Sequence, residues 1–293
     1  MRRLVLTAIL LALLPVGAEA KTLDIVASFS VLGEIVQEVA GDKANVHTLV
    51  GPDGDAHSFE PTPNDARTLG SADLVIVNGL GLEKWMERLI EASGYKGTVA
   101  VASRGVRPRL MEEEGSSVTD PHAWQDLANG RLYVRNIADA LAAADPADAA
   151  YFNDRAKSYD ATLAALDSWV REAIAQVPAA KRRVITTHDA FGYFGAAYGV
   201  TFLAPEGIST DAEPSAGGLA KLIDQVRREK IKALFLENIT SPQLMQTIAQ
   251  ETGVPLGGAL FSDALSPPDG PAPTYVDMFK NNLPKLVEGM QKN

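Results

Sequence analysis

Arg183-Val184-Ile185-Thr186-Thr187-His188-Asp189-Ala190-Phe191-Gly192-Tyr193-Phe194 is the stretch from which the fold is read. Arg183-Val184-Ile185 opens a short β-branched run that reads as a buried strand over Val184–Thr187. The aromatic, Gly-punctuated segment Phe191–Tyr198 reads as a helix. His188 therefore falls where a strand gives way to a helix. In open α/β sheets that edge, at the carboxyl ends of the strands, is where ligands bind.

The same alternation runs outward in both directions. Towards the N-terminus, strands are predicted at Leu23–Ala27, Val46–Val50, Leu74–Asn78 and Val99–Ala102. Helices are predicted at Val31–Val39, from Thr62-Pro63-Asn64-Asp65 with Pro in the first turn, near Leu82–Ala92, and from about Gln125 to Ala143. Residues 103–121, with Glu112-Glu113-Glu114 and Gly115-Ser116-Ser117, read as a solvated loop. Towards the C-terminus, strands are predicted at Thr201–Leu203, Ala233–Leu236 and roughly Pro255–Ala259. Helices are predicted at Ser215–Glu229, Pro242–Thr252 and Tyr275–Gln291. Alternating β and α elements argue for parallel sheets. Between the halves, from Asp145-Pro146 to about Gln176, runs a helical pattern with neither Gly nor internal Pro, a rigid connector rather than a floppy linker. The fold class is α/β: two Rossmann-like lobes with parallel sheets, joined by one long connecting helix and facing each other across a cleft. The expected division is 21–144 for the N-terminal lobe, 145–177 for the connecting helix and 178–293 for the C-terminal lobe. No sequence repeat relates the halves.

Residues 1–20 read differently. Met1-Arg2-Arg3, an apolar run from Leu4 to Val16, and Gly17-Ala18-Glu19-Ala20 form a secretory signal peptide cut after Ala20. The run is too short, and wrongly flanked, to span a membrane well. The chain has no Cys, so neither a disulfide nor a lipid-anchored cysteine is expected. The expected location is the periplasm, without a lipid anchor. A formal net charge of −10 argues against nucleic acid and anionic lipid as partners and is compatible with cations.

Only four histidines occur: His47, His57, His122 and His188. His47 lies inside a strand pattern with no motif around it. The other three sit in loop positions about 65 residues apart, a spacing that suits one ligand per βα unit and is far too long for a local zinc finger or a helical HExxH pair. Asp263, in Leu260-Phe261-Ser262-Asp263 after another apolar run, is a fourth candidate. Three neutral imidazoles and one carboxylate make a borderline-soft, four-coordinate set that suits Zn²⁺. Glu60 and Asp189 adjoin candidates, with imidazole orientation and helix capping or surface charge as open roles. Glu237, at the end of the Leu234–Leu236 strand, has the same orienting role open to it, with a structural salt bridge as the favoured reading, and Trp124 is read as core. The loop from Glu206 to Gly218 is expected to close over the cleft.

His57-Ser58-Phe59-Glu60-Pro61, Asp120-Pro121-His122-Ala123-Trp124, Thr187-His188-Asp189-Ala190-Phe191-Gly192-Tyr193-Phe194, Gly207-Ile208-Ser209-Thr210-Asp211-Ala212-Glu213-Pro214-Ser215 and Leu260-Phe261-Ser262-Asp263 together resemble the zinc- and manganese-specific solute-binding proteins (cluster A-I) of bacterial ABC importers. The resemblance covers the whole mature chain, in order. It implies a metal held between the lobes by His57, His122, His188 and Asp263, and an ABC permease in the inner membrane as partner. Manganese members usually carry Glu where this chain has His188, which points to zinc. Many zinc members carry a long His-rich loop before the second ligand, and residues 103–121 contain no His. The chain is similar in this to the AztC-like subset, for which a periplasmic zinc metallochaperone is an implied partner. A monomer is expected. Two other readings stand beside zinc capture: manganese uptake on the same fold, and a zinc hydrolase with Glu60 or Asp189 as general base.

Overall fold

The computed structural model describes residues 22–113, 116–207, 209–210 and 215–293. The expected signal peptide lies outside the described residues, as do residues 208 and 211–214 of the loop expected to close the cleft.

The N-terminal half builds a four-stranded sheet from β1 (Leu23–Phe29), β2 (Ala44–Val50), β3 (Leu74–Val77) and β4 (Thr98–Val101), all neighbours parallel, in the order β2-β1-β3-β4. Strand β3 is buried along its whole length, and the apolar run Leu-Val-Ile-Val suits a strand covered on both faces. The crossovers are α1 (Ser30–Ala40), α2 (Pro63–Gly70) and α3 (Met86–Ser93). Helix α2 starts where Thr62 and Asp65 form a reciprocal capping box with Pro63 just inside.

Residues 103–121 depart from expectation. Beyond a short turn they form an antiparallel hairpin, β5 (Arg109–Glu113) against β6 (Ser116–Asp120), rather than a solvated loop. The acidic run and the Gly-Ser pair masked a strand signal that is only one β-branched residue deep on each face. A 3₁₀ turn at Ala123–Gln125 then leads into α4 (Leu127–Ala144).

Helix α5 (Ala149–Ala175) is the long helix anticipated from the sequence, beginning at Ala149 after a turn at Asp145-Pro146. Its buried positions, Phe152, Ala156, Tyr159, Leu163, Leu166, Val170 and Ile174, recur every three or four residues and make one continuous stripe. That stripe packs on α4 and α1 and, further along, on α6 (Gly192–Tyr198) and α9 (Tyr275–Gln291).

The C-terminal half builds a second parallel sheet from β7 (Arg183–Ile185), β8 (Thr201–Leu203), β9 (Leu234–Glu237) and β10 (Leu256–Leu260), ordered β10-β9-β7-β8, with α7 (Ala216–Glu229) and α8 (Gln243–Thr252) completing the crossovers. Numbered within its own half, this is the strand order of the first sheet read from the other edge. The two halves therefore share one topology, a repeat that leaves no trace in the sequence. In each sheet the order reverses beside the first strand, the switch point at whose carboxyl side a ligand crevice opens.

The lobes are not separate bodies. One apolar cluster runs from β1, α1 and α4 through α5 into Phe191, Phe194, Phe261, Tyr275, Phe279 and Met290. A smaller one, with Ile185, Leu222, Val226, Met245 and Ile248, lies beneath α7 and α8. Helix α9 touches α1 as well as α5, so the last helix also straps the halves together. Opening a wide cleft would expose that shared core. Scattering curves of metal-free and metal-loaded protein are therefore expected to be nearly superimposable; curves demanding a wide hinge opening would contradict this. Among the described residues no helix is long and apolar enough to cross a membrane.

Candidate metal site

His57, His122, His188 and Asp263 meet at one point. Each offers one ligand atom, these atoms all lie within 4.8 Å of one another, and all four residues are buried. His57 follows β2, His122 follows the hairpin after β4, His188 follows β7 and Asp263 follows β10. Each lobe thus supplies two groups from the carboxyl edge of its sheet. His47 remains in β2, away from the cluster.

Asp263 Oδ2 is the common neighbour. It lies 3.2 Å from His57 Nε2, 3.1 Å from His188 Nε2 and 3.5 Å from His122 Nε2, while His57 and His122 Nε2 are 3.1 Å apart. Ligands about 2.0–2.1 Å from a tetrahedral zinc stand ~3.3 Å from each other, so these distances are those of donor atoms arranged around a single ion. Asp263 Oδ1 is buried and accepts no hydrogen bond.

Carboxylates behind the cluster orient two of the rings. Asp120 Oδ1 accepts from both the backbone N–H (3.0 Å) and Nδ1 (2.9 Å) of His122. This puts the proton on Nδ1 and turns the Nε2 lone pair to the centre. Glu237, at the end of β9, accepts from the backbone N–H of His188 (2.9 Å), and its other oxygen lies 2.7 Å from His188 Nδ1. Of the two roles open to Glu237 in the sequence, the less favoured one matches its position: it stands directly behind a cluster histidine. Asp120 was missed altogether, although an Asp two residues before a ligand-type His in Asp-Pro-His is a readable signal. Glu60 is exposed, and no hydrogen bond joins it or half-buried Asp189 to an imidazole. Trp124 is core, as expected, but its ring also stands edge-on to His122 at 5.3 Å between centroids.

The loops are fixed across the lobe boundary. Trp124 Nε1 and Gln125 Nε2 donate to Ser262 O at 2.9 and 2.8 Å. Leu265 N donates to Ser30 Oγ at 3.0 Å, and Asp53 N to Leu265 O at 2.9 Å. Thr210 Oγ1 donates to Asp55 Oδ2 at 2.5 Å, and Asp55 Oδ1 in turn accepts from His57 N at 2.9 Å. Asn78 Nδ2 donates to Pro121 O at 2.9 Å, holding the segment that presents His122.

Charge is concentrated here. Burial drives the His122 imidazolium down, but Asp263 and Asp120 outweigh it and push the group up to about 9. His188 is likewise raised well above the ordinary range, burial being overcome by Glu237 and Asp263. His57, with no carboxylate behind its ring, is lowered by burial. Asp263 is held well below the usual range, because His122 and His188 outweigh its burial. The carboxylates thus favour protonated rings at His122 and His188 in the cluster as it stands.

Two α/β lobes over a shared core, with a buried set of side chains that could hold a metal ion where their loops meet, fit a solute-binding protein whose solute is a metal ion. Comparison with known proteins agrees. Residues 25–289 match the family described as "Zinc-uptake complex component A periplasmic", and the chain belongs to that family. It is 32% identical over 274 residues to the manganese-binding lipoprotein MntA of Halalkalibacterium halodurans, covering 94% of this chain and 90% of that protein. It is 33% identical over 271 residues to the iron-binding protein YfeA of Yersinia pestis, covering 92% and 87%. The periplasmic zinc binding protein TroA from Treponema pallidum superimposes with a TM-score of 0.87 at 29% identity, covering 92% of this chain and 99% of that one. The protein is an extracytoplasmic, metal-binding component of an ABC transporter, and its family is one of solute carriers rather than enzymes.

Proposed function

We propose that His57, His122, His188 and Asp263 capture Zn²⁺ as cargo in the periplasm and deliver it to an ABC permease in the inner membrane. The convergence of three imidazole Nε2 atoms on one carboxylate oxygen carries this reading. A nitrogen-rich, buried set suits zinc better than an oxygen-preferring ion, and four protein donors close the tetrahedron without a place for a reactive water. The rival reading is manganese. Relatives are named for manganese and iron, and the free Oδ1 of Asp263 offers an additional oxygen donor. The His at 188 favours zinc. Several relatives are named lipoproteins, and these 293 residues hold no Cys. A monomer, loaded either by free metal or by a periplasmic metallochaperone, fits this role.

The test is metal analysis of the protein purified from its own periplasm, with Asp263→Ala alongside. One zinc per chain is expected, lost in the variant. Manganese in place of zinc would favour the rival reading. Retention of metal with hydrolytic turnover on three histidines would mean a zinc enzyme.

A further inference from the structure

We infer that Arg109 is a positioning residue for the metal-binding set, a strut that fixes Asp120 behind His122 and ties both to the element that follows His188; the inference rests on the metal-site reading above. Asp120 is fully buried, and its Oδ1 is already committed to His122. Its Oδ2 accepts no hydrogen bond and has the Arg109 guanidinium as its ion-pair partner, with Nε at 3.4 Å. When His122 is neutral, as metal binding requires, Arg109 is the cation left beside this buried carboxylate, so this contact decides whether Asp120 stays where His122 needs it.

Arg109 starts β5 and Asp120 ends β6, in register across the hairpin. From there Arg109 reaches the other lobe. Its backbone N–H donates to Tyr193 Oη at 3.0 Å, and its guanidinium lies 5.6 Å from the centre of the Tyr193 ring. Tyr193 belongs to α6, which begins four residues after His188. The first residue of α6 is Gly192, and a Cβ there would fall 2.6 Å from Asp120 Oδ2 and 3.0 Å from Arg109 Nη2. The glycine is required by space: the α6 backbone lies against the ion pair itself. One guanidinium therefore bridges the support of a first-lobe histidine and the helix that follows a second-lobe histidine. Because it touches no donor atom, its effect passes through Asp120 and α6, and it should govern how long the metal is held.

The test uses the full-length zinc-loaded protein and a competing chelator. Zinc release from Arg109→Met is expected to be faster by on the order of 10–100-fold, the usual range for a supporting partner of a metal-binding imidazole, with one zinc still bound per chain. Arg109→Lys, which keeps the cation, should recover most of the loss. Gly192→Ala, which crowds the pair from the opposite side, should also speed release. In an Asp120→Asn background, Arg109→Met should add nothing further, since both changes break one chain of contacts. Release at the wild-type rate from Arg109→Met, failure of Arg109→Lys to recover any loss, or additive effects of Arg109→Met and Asp120→Asn would overturn the inference while leaving the metal site intact. Wild-type protein that takes up neither zinc nor manganese would overturn the site reading, and the inference with it.

Discussion

Replacing His188 with alanine is expected to lower zinc affinity by more than the 10–100-fold that follows loss of a supporting residue, because the proposed site would lose a donor atom itself. His188 Nε2 is the group nearest Asp263 Oδ2, and it is a C-terminal-lobe histidine facing two from the first lobe. A second effect accompanies the first. Glu237 is buried with its Oε2 beside His188 Nδ1, and truncation leaves that carboxylate without its cationic partner. Removing one member of a buried pair typically costs about 3–5 kcal/mol. The metal-free variant should therefore unfold at a lower temperature than metal-free wild type, besides binding poorly. His188→Glu separates the two effects: it keeps an oxygen donor but sets two carboxylates against each other, and should shift preference from zinc towards manganese while destabilising the metal-free form. Isothermal titration with both metals, beside thermal unfolding without them, measures all three outcomes. Wild-type zinc affinity in His188→Ala would remove this histidine from the site.

What could be read without coordinates follows from how local the signal was. Helix Tyr275–Gln291 and strand Thr201–Leu203 were legible to the residue, because apolar periodicity and bounding turns fix them. The four cluster residues were legible because each stands at the carboxyl end of a strand or hairpin in a loop rich in Gly, Pro or Asp. Their supports were harder. Glu237 lies 49 residues beyond His188, and only the pairing of β9 with β7 brings them together. The Arg109–Asp120 pair depends on a hairpin whose sequence is too polar to announce strands. The shared strand order of the lobes is invisible for a related reason: topology constrains where chain reversals fall, not which apolar residues fill the space. The straps from Asp53 and Ser30 to Leu265 join groups more than 200 residues apart, a relation no local pattern encodes.

Zinc affinity should also rise steeply with pH, by about 100-fold per unit around and just below neutral pH, since two protons must leave for each metal that enters the proposed site. In the metal-free protein His122 is pushed up to about 9 and His188 lies well above its ordinary value, so both rings carry protons at neutral pH. His57 is lowered and Asp263 is held ionised, so neither adds to the proton count in this window. Linkage fixes a second sign. A histidine whose folded-state value is raised contributes stability that is fully present below about 6.5 and is lost as pH rises through the folded value. The metal-free protein should therefore lose stability between pH 7 and 9, where the loaded protein, whose positive charge is the ion, does not. Competition titrations at pH 5.5, 6.5 and 7.5 against a chelator of known pH dependence test the first claim, and melting curves with and without metal test the second. Equal affinity at pH 5.5 and 7.5 would mean that imidazoles do not dominate the site. A slope near one proton per metal would mean that the two carboxylate-backed histidines share a single proton, with Asp263 Oδ2 placed to accept it from either ring.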